Sequence, residues 1–234
     1  DEPAISPDEV AYLMAAVVDQ FPALNLTLDD VIATWAGVRP VIGTGKEDPS
    51  KESRDHALWQ ENGLLTVTGG KLTTFRVMAL DALRAARRLL PEMPSPDEHA
   101  PPLKPVRVTL EAPADDLARR RLLGRYAAHA PALVSAALPG ELEPIPGTQT
   151  LWAELRWAAR AEAVVHLDDL LLRRTRLGLL LSGGGEAILP RVRSMCQAEL
   201  GWDDARWEAE ESAYLACWRA HYSLPESASS QPQT

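Results

Sequence analysis

Six of the chain's nineteen prolines fall between Pro91 and Pro105. Proline fixes its own φ, lacks a backbone donor and drives the residue before it out of the helical region. No regular helix can run through such a stretch, so it divides the chain into two parts. On the C-terminal side, from Ala114 onward, the signal is almost wholly helical. The expected helices cover about 114–129, 131–138, 149–165, 167–180, 185–199 and 203–222. The N-terminal side is mixed. Ser6-Pro7-Asp8-Glu9 combines a capping hydroxyl, a proline at the first helical position and an acid three residues on; Val10, Leu13, Met14, Val17 and Val18 then build one apolar face. Thr27 and Asp30 repeat the capping pattern for a shorter helix. Residues 43–62 read as loop, Leu64 to Thr68 as a short buried strand, and Leu72 to Leu90 as a helix following the Gly69-Gly70 turn. The expected fold is therefore mainly α. A small α/β part over 1–90 precedes a Pro-rich linker over 91–105, an all-α domain over 106–222 and a disordered tail over 223–234.

Lys and Arg total 24 against 33 Asp and Glu, a net charge of −9. A nucleic-acid binder would present a net basic face to the phosphates, so no nucleic-acid partner is expected. An apolar share of 46% suits a globular chain and is too high for a disordered one. The two cysteines, Cys196 and Cys217, have no His or Cys companion at ligand spacing. That argues against a disulfide framework or a metal site and fits a reducing, cytoplasmic setting. No apolar run approaches the roughly 20 residues that span a bilayer. No signal peptide opens the chain, and its start at Asp1 reads as that of a cut chain.

Three features could carry chemistry. The first is Gly69-Gly70-Lys71-Leu72-Thr73-Thr74, at the junction of strand and helix. Two glycines let a backbone approach a ligand closely, and the helix start adds unpaired N–H groups and partial positive charge. Lys71 adds a full charge. The same residues also suit a plain Gly-Gly turn capped by Thr73 or Thr74. The second is the pair Arg39 and Arg54, which would hold a phosphate or carboxylate if they converged, with His56 beside them. The third is Arg173, Arg174 and Arg176, better read as bases near a helix end that answer Asp168 and Asp169 at its start. Gly183-Gly184-Gly185 follows a helix and lacks Lys-Ser/Thr, so it reads as a flexible connector. His129 and His166 are expected to be structural, and four of the seven tryptophans look like half-buried packing residues on helices.

The segments Ala36-Gly37-Val38-Arg39-Pro40, Ser53-Arg54-Asp55-His56 and Gly69-Gly70-Lys71-Leu72-Thr73-Thr74-Phe75-Arg76, in that order, resemble the FAD-dependent glycerol-3-phosphate dehydrogenases. Leu155 to Glu162, Leu170 to Leu177 and Glu199-Leu200-Gly201-Trp202-Asp203 are similar to that family's C-terminal helical domain. The resemblance implies that residues 1–90 are the remnant of an FAD and substrate domain. It implies that Arg39 and Arg54 bind the phosphate of glycerol 3-phosphate. Gly70, Lys71, Leu72, Thr73 and Thr74 would contact the flavin, with Lys71 also acting catalytically beside the site of hydride transfer. It further implies oxidation to dihydroxyacetone phosphate, transfer of electrons to a quinone, a peripheral place at the inner face of the cell membrane, and a possible homodimer. Transfer to oxygen instead is a close alternative. The family's G-x-G-x-x-G turn is absent from this sequence, so the chain alone is expected to hold FAD weakly or not at all and to be inactive. A non-catalytic helical interaction module is the rival from another class.

Overall fold

The computed structural model describes residues 3–38, 55–103, 105–112 and 115–225. The chain forms two compact units, one of Asp1–Gly37 with Val106–Thr234 and one of Val38–Pro105. The Pro-rich residues 91–105 fall inside the second of these units. Residues 1–37, however, join the helical unit and not the part expected to run to 90. The Thr34 N–H donates to the Tyr222 carbonyl at 2.7 Å, and its hydroxyl donates to the Ser223 carbonyl at 3.1 Å. Such a join between distant residues leaves no local signature in sequence.

In the helical unit, α1 (Pro7–Gln20) starts as expected: the Ser6 N–H donates to Glu9 at 2.9 Å and the Glu9 N–H returns a bond to Ser6 Oγ at 3.3 Å. Thr27 and Asp30 close a second capping box on the short turn Leu28–Asp30. Helices α3 (Asp116–Tyr126) and α4 (Ala130–Ala136) pack through Leu122, Tyr126 and Leu133 onto the start of α5 (Trp152–Ala161). The larger core joins α5 to α7 (Leu189–Leu200) and α8 (Asp204–His221) through Leu155, Val192, Trp207 and Tyr214. Among its described residues this unit holds no β-strand, only an isolated bridge between Pro144 and Leu151.

Two expectations fail here for packing reasons. The single helix over 167–180 is broken. Asp169–Arg174 winds as a π-helical turn, Thr175 donates its hydroxyl to the Leu170 carbonyl at 2.7 Å, and Arg176 turns left-handed before α6 (Leu177–Leu180). Leu170, Leu171 and Leu172 are all buried, more than one face of a regular helix can hide. Gly183-Gly184-Gly185 is no loose connector either. All three have positive φ, Gly184 and Gly185 are buried, and a β-carbon on Gly184 would lie 2.8 Å from Trp218 Cγ. The Tyr214 hydroxyl donates to the Gly184 carbonyl. Three of the tryptophans, Trp152, Trp207 and Trp218, are fully buried and not half-buried.

The second unit contains a hairpin and a helix. Strands β1 (His56–Glu61) and β2 (Leu64–Gly69) pair antiparallel, from His56 opposite Gly69 to Glu61 opposite Leu64. Asn62 and Gly63 join them with φ of 50° and 84°, the mirror-image turn that matches strand twist. β1 thus replaces the end of the loop expected over 43–62. The strand expected to be buried is open: Leu64 is 67% exposed. Helix α2 (Phe75–Leu89) follows, and its arginines lash the Pro-rich segment to it. Arg76 donates to the Ala100 and Glu98 carbonyls, Arg84 pairs with Glu98, and Arg87 donates to the Met93 carbonyl at 3.0 Å. No described residue of this unit is buried.

Candidate functional site

The junction of β2 and α2 is built almost wholly from local geometry. Gly69 and Gly70 both have positive φ, 74° and 79°. A β-carbon on Gly70 would fall 2.3 Å from Met78 Sδ, so Met78 would have to move, and the φ of 79° itself favours glycine. His56 Nε2 lies 3.0 Å from Asp81 Oδ2, and Asp81 also accepts from Arg84 at 2.8 Å. His56, whose role the sequence left open, therefore ties β1 to α2.

Lys71 is extended (φ −129°, ψ 153°) and begins the turn Leu72–Thr74. The Thr74 hydroxyl accepts the Lys71 N–H at 3.2 Å and donates to the Lys71 carbonyl at 3.0 Å. Of the two threonines that could cap, Thr74 does so, and its hydroxyl is spent in that role. Lys71, Leu72 and Thr73 are exposed, Leu72 by 88%. The Lys71 ammonium has no hydrogen-bond or ion-pair partner among the described residues. The junction therefore offers a cation on a glycine turn leading into a 15-residue helix, whose first N–H, that of Phe75, already donates to the Leu72 carbonyl. Arg39 and Arg54 lie outside the described residues.

The helical unit carries two polar constructions that sequence reasoning missed. Glu154, with no exposed side-chain surface, accepts from Arg121 at 2.5 and 3.0 Å, from the Tyr126 hydroxyl at 2.8 Å and from the Leu151 N–H at 2.7 Å. Burial, with the Glu154 carboxylate beside it, pushes the Tyr126 phenol above its ordinary range. Arg156 bridges Glu141 at 2.5 Å and Glu199 at 2.7 Å, and Arg160 also grips Glu199. The hydrogen bonds from Arg160, reinforced by Arg156, hold the Glu199 carboxyl down to about 2. Glu154 stands three residues after Leu151 at a helix start, a position that suits a capping acid, but spacing gives no sign of its burial. Arg173 pairs with Asp168 and Asp169, the dipole-complementing arrangement expected of that run.

Among the described residues no cluster of His, Cys, Asp and Glu could hold a metal, and no helix is long and apolar enough to cross a membrane. Residues 105–207, the core of the helical unit, match the family described as the C-terminal domain of alpha-glycerophosphate oxidase. Over 92% of its length the chain is 31% identical to glycerol-3-phosphate dehydrogenase 2 of Mycobacterium tuberculosis, covering 39% of that protein. It is 27% identical over 89% of its length to the mitochondrial glycerol-3-phosphate dehydrogenase of Bos taurus, covering 31% of it. The aerobic glycerol-3-phosphate dehydrogenase of Staphylococcus aureus is 29% identical over 74% of the chain, which covers 35% of it. The chain thus spans less than two fifths of the length of these relatives. Over most of its own length it is similar to proteins named glycerol-3-phosphate dehydrogenase, and it corresponds to a C-terminal portion of them.

Proposed function

We propose that this chain supplies the substrate- and flavin-facing C-terminal part of a flavoenzyme that oxidises sn-glycerol 3-phosphate to dihydroxyacetone phosphate. The observation that carries the reading is the free Lys71 ammonium on the Gly69-Gly70 turn at the start of α2. A cation placed on a glycine turn suits the electron-rich edge of a reduced flavin ring. FAD would be held by Gly70, Lys71, Leu72 and Thr73, with Thr74 shaping the turn through its cap; when bound it supplies the hydride acceptor. Arg39 and Arg54 would fix the substrate phosphate by paired guanidinium hydrogen bonds, and Lys71 would stabilise the charge that develops as hydride leaves C2.

The second unit supports the same reading. A two-stranded hairpin and one helix that bury no side chain do not make a stable domain by themselves. Leu64, Leu72, Phe75 and Val77 are each at least half exposed. In the complete enzyme a dinucleotide-binding portion would cover them, and without it FAD would be held weakly. Electrons would pass on to a quinone at the cytoplasmic face of the membrane, from an enzyme that forms a homodimer. Transfer to oxygen is the second reading, favoured by the word oxidase in the description of the matching domain family.

The test is a chimera in which this chain replaces the aligned portion of the Mycobacterium tuberculosis relative. Its visible spectrum is recorded without oxygen, before and after adding glycerol 3-phosphate. Bleaching of the flavin bands is expected, and Lys71→Met is expected to slow it about 100-fold with the resting spectrum intact. A yellow chimera that never bleaches would move the substrate elsewhere; a colourless one would refute the flavin contact.

A further inference from the structure

The helical unit holds a cleft of about 790 Å³ lined by Arg121 and Arg125 on α3, by Thr148 and Gln149, and by Thr175 and Arg176 in the turn before α6. No carboxylate lines it. Two of the arginines are positioned from behind. Glu154 binds Arg121 through both of its oxygens and stands 3.7 Å from Arg125 Nε. Arg125 also donates to the Tyr126 hydroxyl at 3.1 Å and to the Arg174 carbonyl. Glu162 acts electrostatically on both Arg125 and Arg174. Three arginines line the cleft and one buried carboxylate, Glu154, stands behind two of them, in a chain whose net charge is −9.

Arg176 is the informative residue. It stands at φ 60°, ψ 19°, a conformation in which a β-carbon is strained and glycine is at ease. Its side chain is exposed and makes no hydrogen bond or ion pair among the described residues. The backbone need at this position would be met better by glycine, and no internal contact of the guanidinium offsets the strain among the described residues. A side chain held out at such a position, over a cleft with two fixed arginines, is placed to meet an anion from outside.

The geometry points to an anion site in this cleft that takes a phosphate ester, gripped by Arg176 and faced by Arg121 and Arg125. Paired guanidinium donors match the oxygen spacing of phosphate. The site belongs to the helical unit and stands whether or not the chain takes part in flavin chemistry. The phosphate can come from a free ester or from a lipid headgroup.

Thermal unfolding of the full 234-residue chain, titrated with inorganic phosphate at constant ionic strength and with sodium chloride as the control, tests the soluble source. A saturable rise in Tm is expected, as for any ligand that binds only the folded state. Arg176→Gly is expected to raise Tm in phosphate-free buffer, because it relieves the left-handed strain, yet to weaken phosphate binding by roughly tenfold or more. Arg176→Lys keeps part of the response. Cosedimentation with phosphatidylglycerol vesicles against phosphatidylcholine vesicles tests the lipid source. Loss in Arg176→Gly of either response, to phosphate or to phosphatidylglycerol, supports the site and names its ligand. If neither response appears, or if Arg176→Gly responds as the native chain does, the site is refuted.

Discussion

Replacing Glu154 by leucine would remove a carboxylate that four hydrogen bonds hold in place, two of them from Arg121. The side chain has no exposed surface, and of its partners Tyr126 is 6% exposed, Leu151 2% and the Arg121 side chain 19%. Leucine leaves the Arg121 guanidinium without its counter-charge, and the Tyr126 hydroxyl and Leu151 N–H without an acceptor. Breaking a buried pair by removing one partner costs about 3–5 kcal/mol, and the apolar surface gained by leucine offsets only a fraction of the stranded donors. For a chain of this size each kcal/mol moves Tm by about 2–4 °C, so the fall is roughly 6–20 °C. Urea unfolding followed by tryptophan fluorescence, together with a thermal scan, measures both. Glu154→Gln keeps the shape and one acceptor and should fall between native and Glu154→Leu. The double variant Glu154→Leu with Arg121→Met should recover part of the loss, because it no longer strands a charge. A loss below about 1 kcal/mol in Glu154→Leu, or a double variant no better than the single, would refute the account.

Gly184→Ala should cost about 2–4 kcal/mol, read from the urea midpoint, since it adds left-handed strain to a β-carbon pressed on Trp218; Gly183→Ala, with open space at its φ of 61°, should cost about 1 kcal/mol. The Glu199 carboxyl, held down to about 2 by Arg160 and Arg156, contributes stability that is complete above its unfolded value near 4.5 and lost as the pH falls toward 2. Glu199→Gln should therefore flatten the stability profile across that window, and an unchanged slope there would contradict the assigned pairing.

How much of this was legible in sequence follows from how local each cause is. The capping boxes at Ser6 and Thr27 are complete within four residues and came out as read. Helices α3, α5, α7 and α8 fall on stretches that read as helical, with their ends displaced by a few residues. The hairpin was missed although Asn62-Gly63 is a strong turn signal, because Trp59-Gln60-Glu61 shows no alternation and a charge cluster precedes it. The left-handed turn at Arg176 has no signature at all: nothing in the residue type asks for that conformation. The join of Thr34 to Tyr222 and the burial of Glu154 depend on residues far apart in the chain. At the candidate site, Gly70 and Lys71 were legible as a turn and a cation. The choice between Thr73 and Thr74 was not, since only the backbone decides which hydroxyl reaches Lys71.

The arginines make the last distinction possible. In an acidic chain most cations are consumed internally: Arg76, Arg84 and Arg87 hold the Pro-rich segment, while Arg156, Arg160, Arg173 and Arg206 answer carboxylates. Lys71 and Arg176 differ in kind. Lys71 follows the left-handed Gly69 and Gly70, and Arg176 is itself left-handed, so in each case the turn sets where the side chain leaves the backbone. A charge left unpaired can meet a ligand without first breaking an internal pair, at the cost of ordering its own rotamers. The two positions lie in different units, which makes their roles separable. Lys71→Met should leave the response to phosphate intact, and Arg176→Gly should leave flavin bleaching intact; a variant that abolished both would show one shared structural cause and remove the argument for two sites.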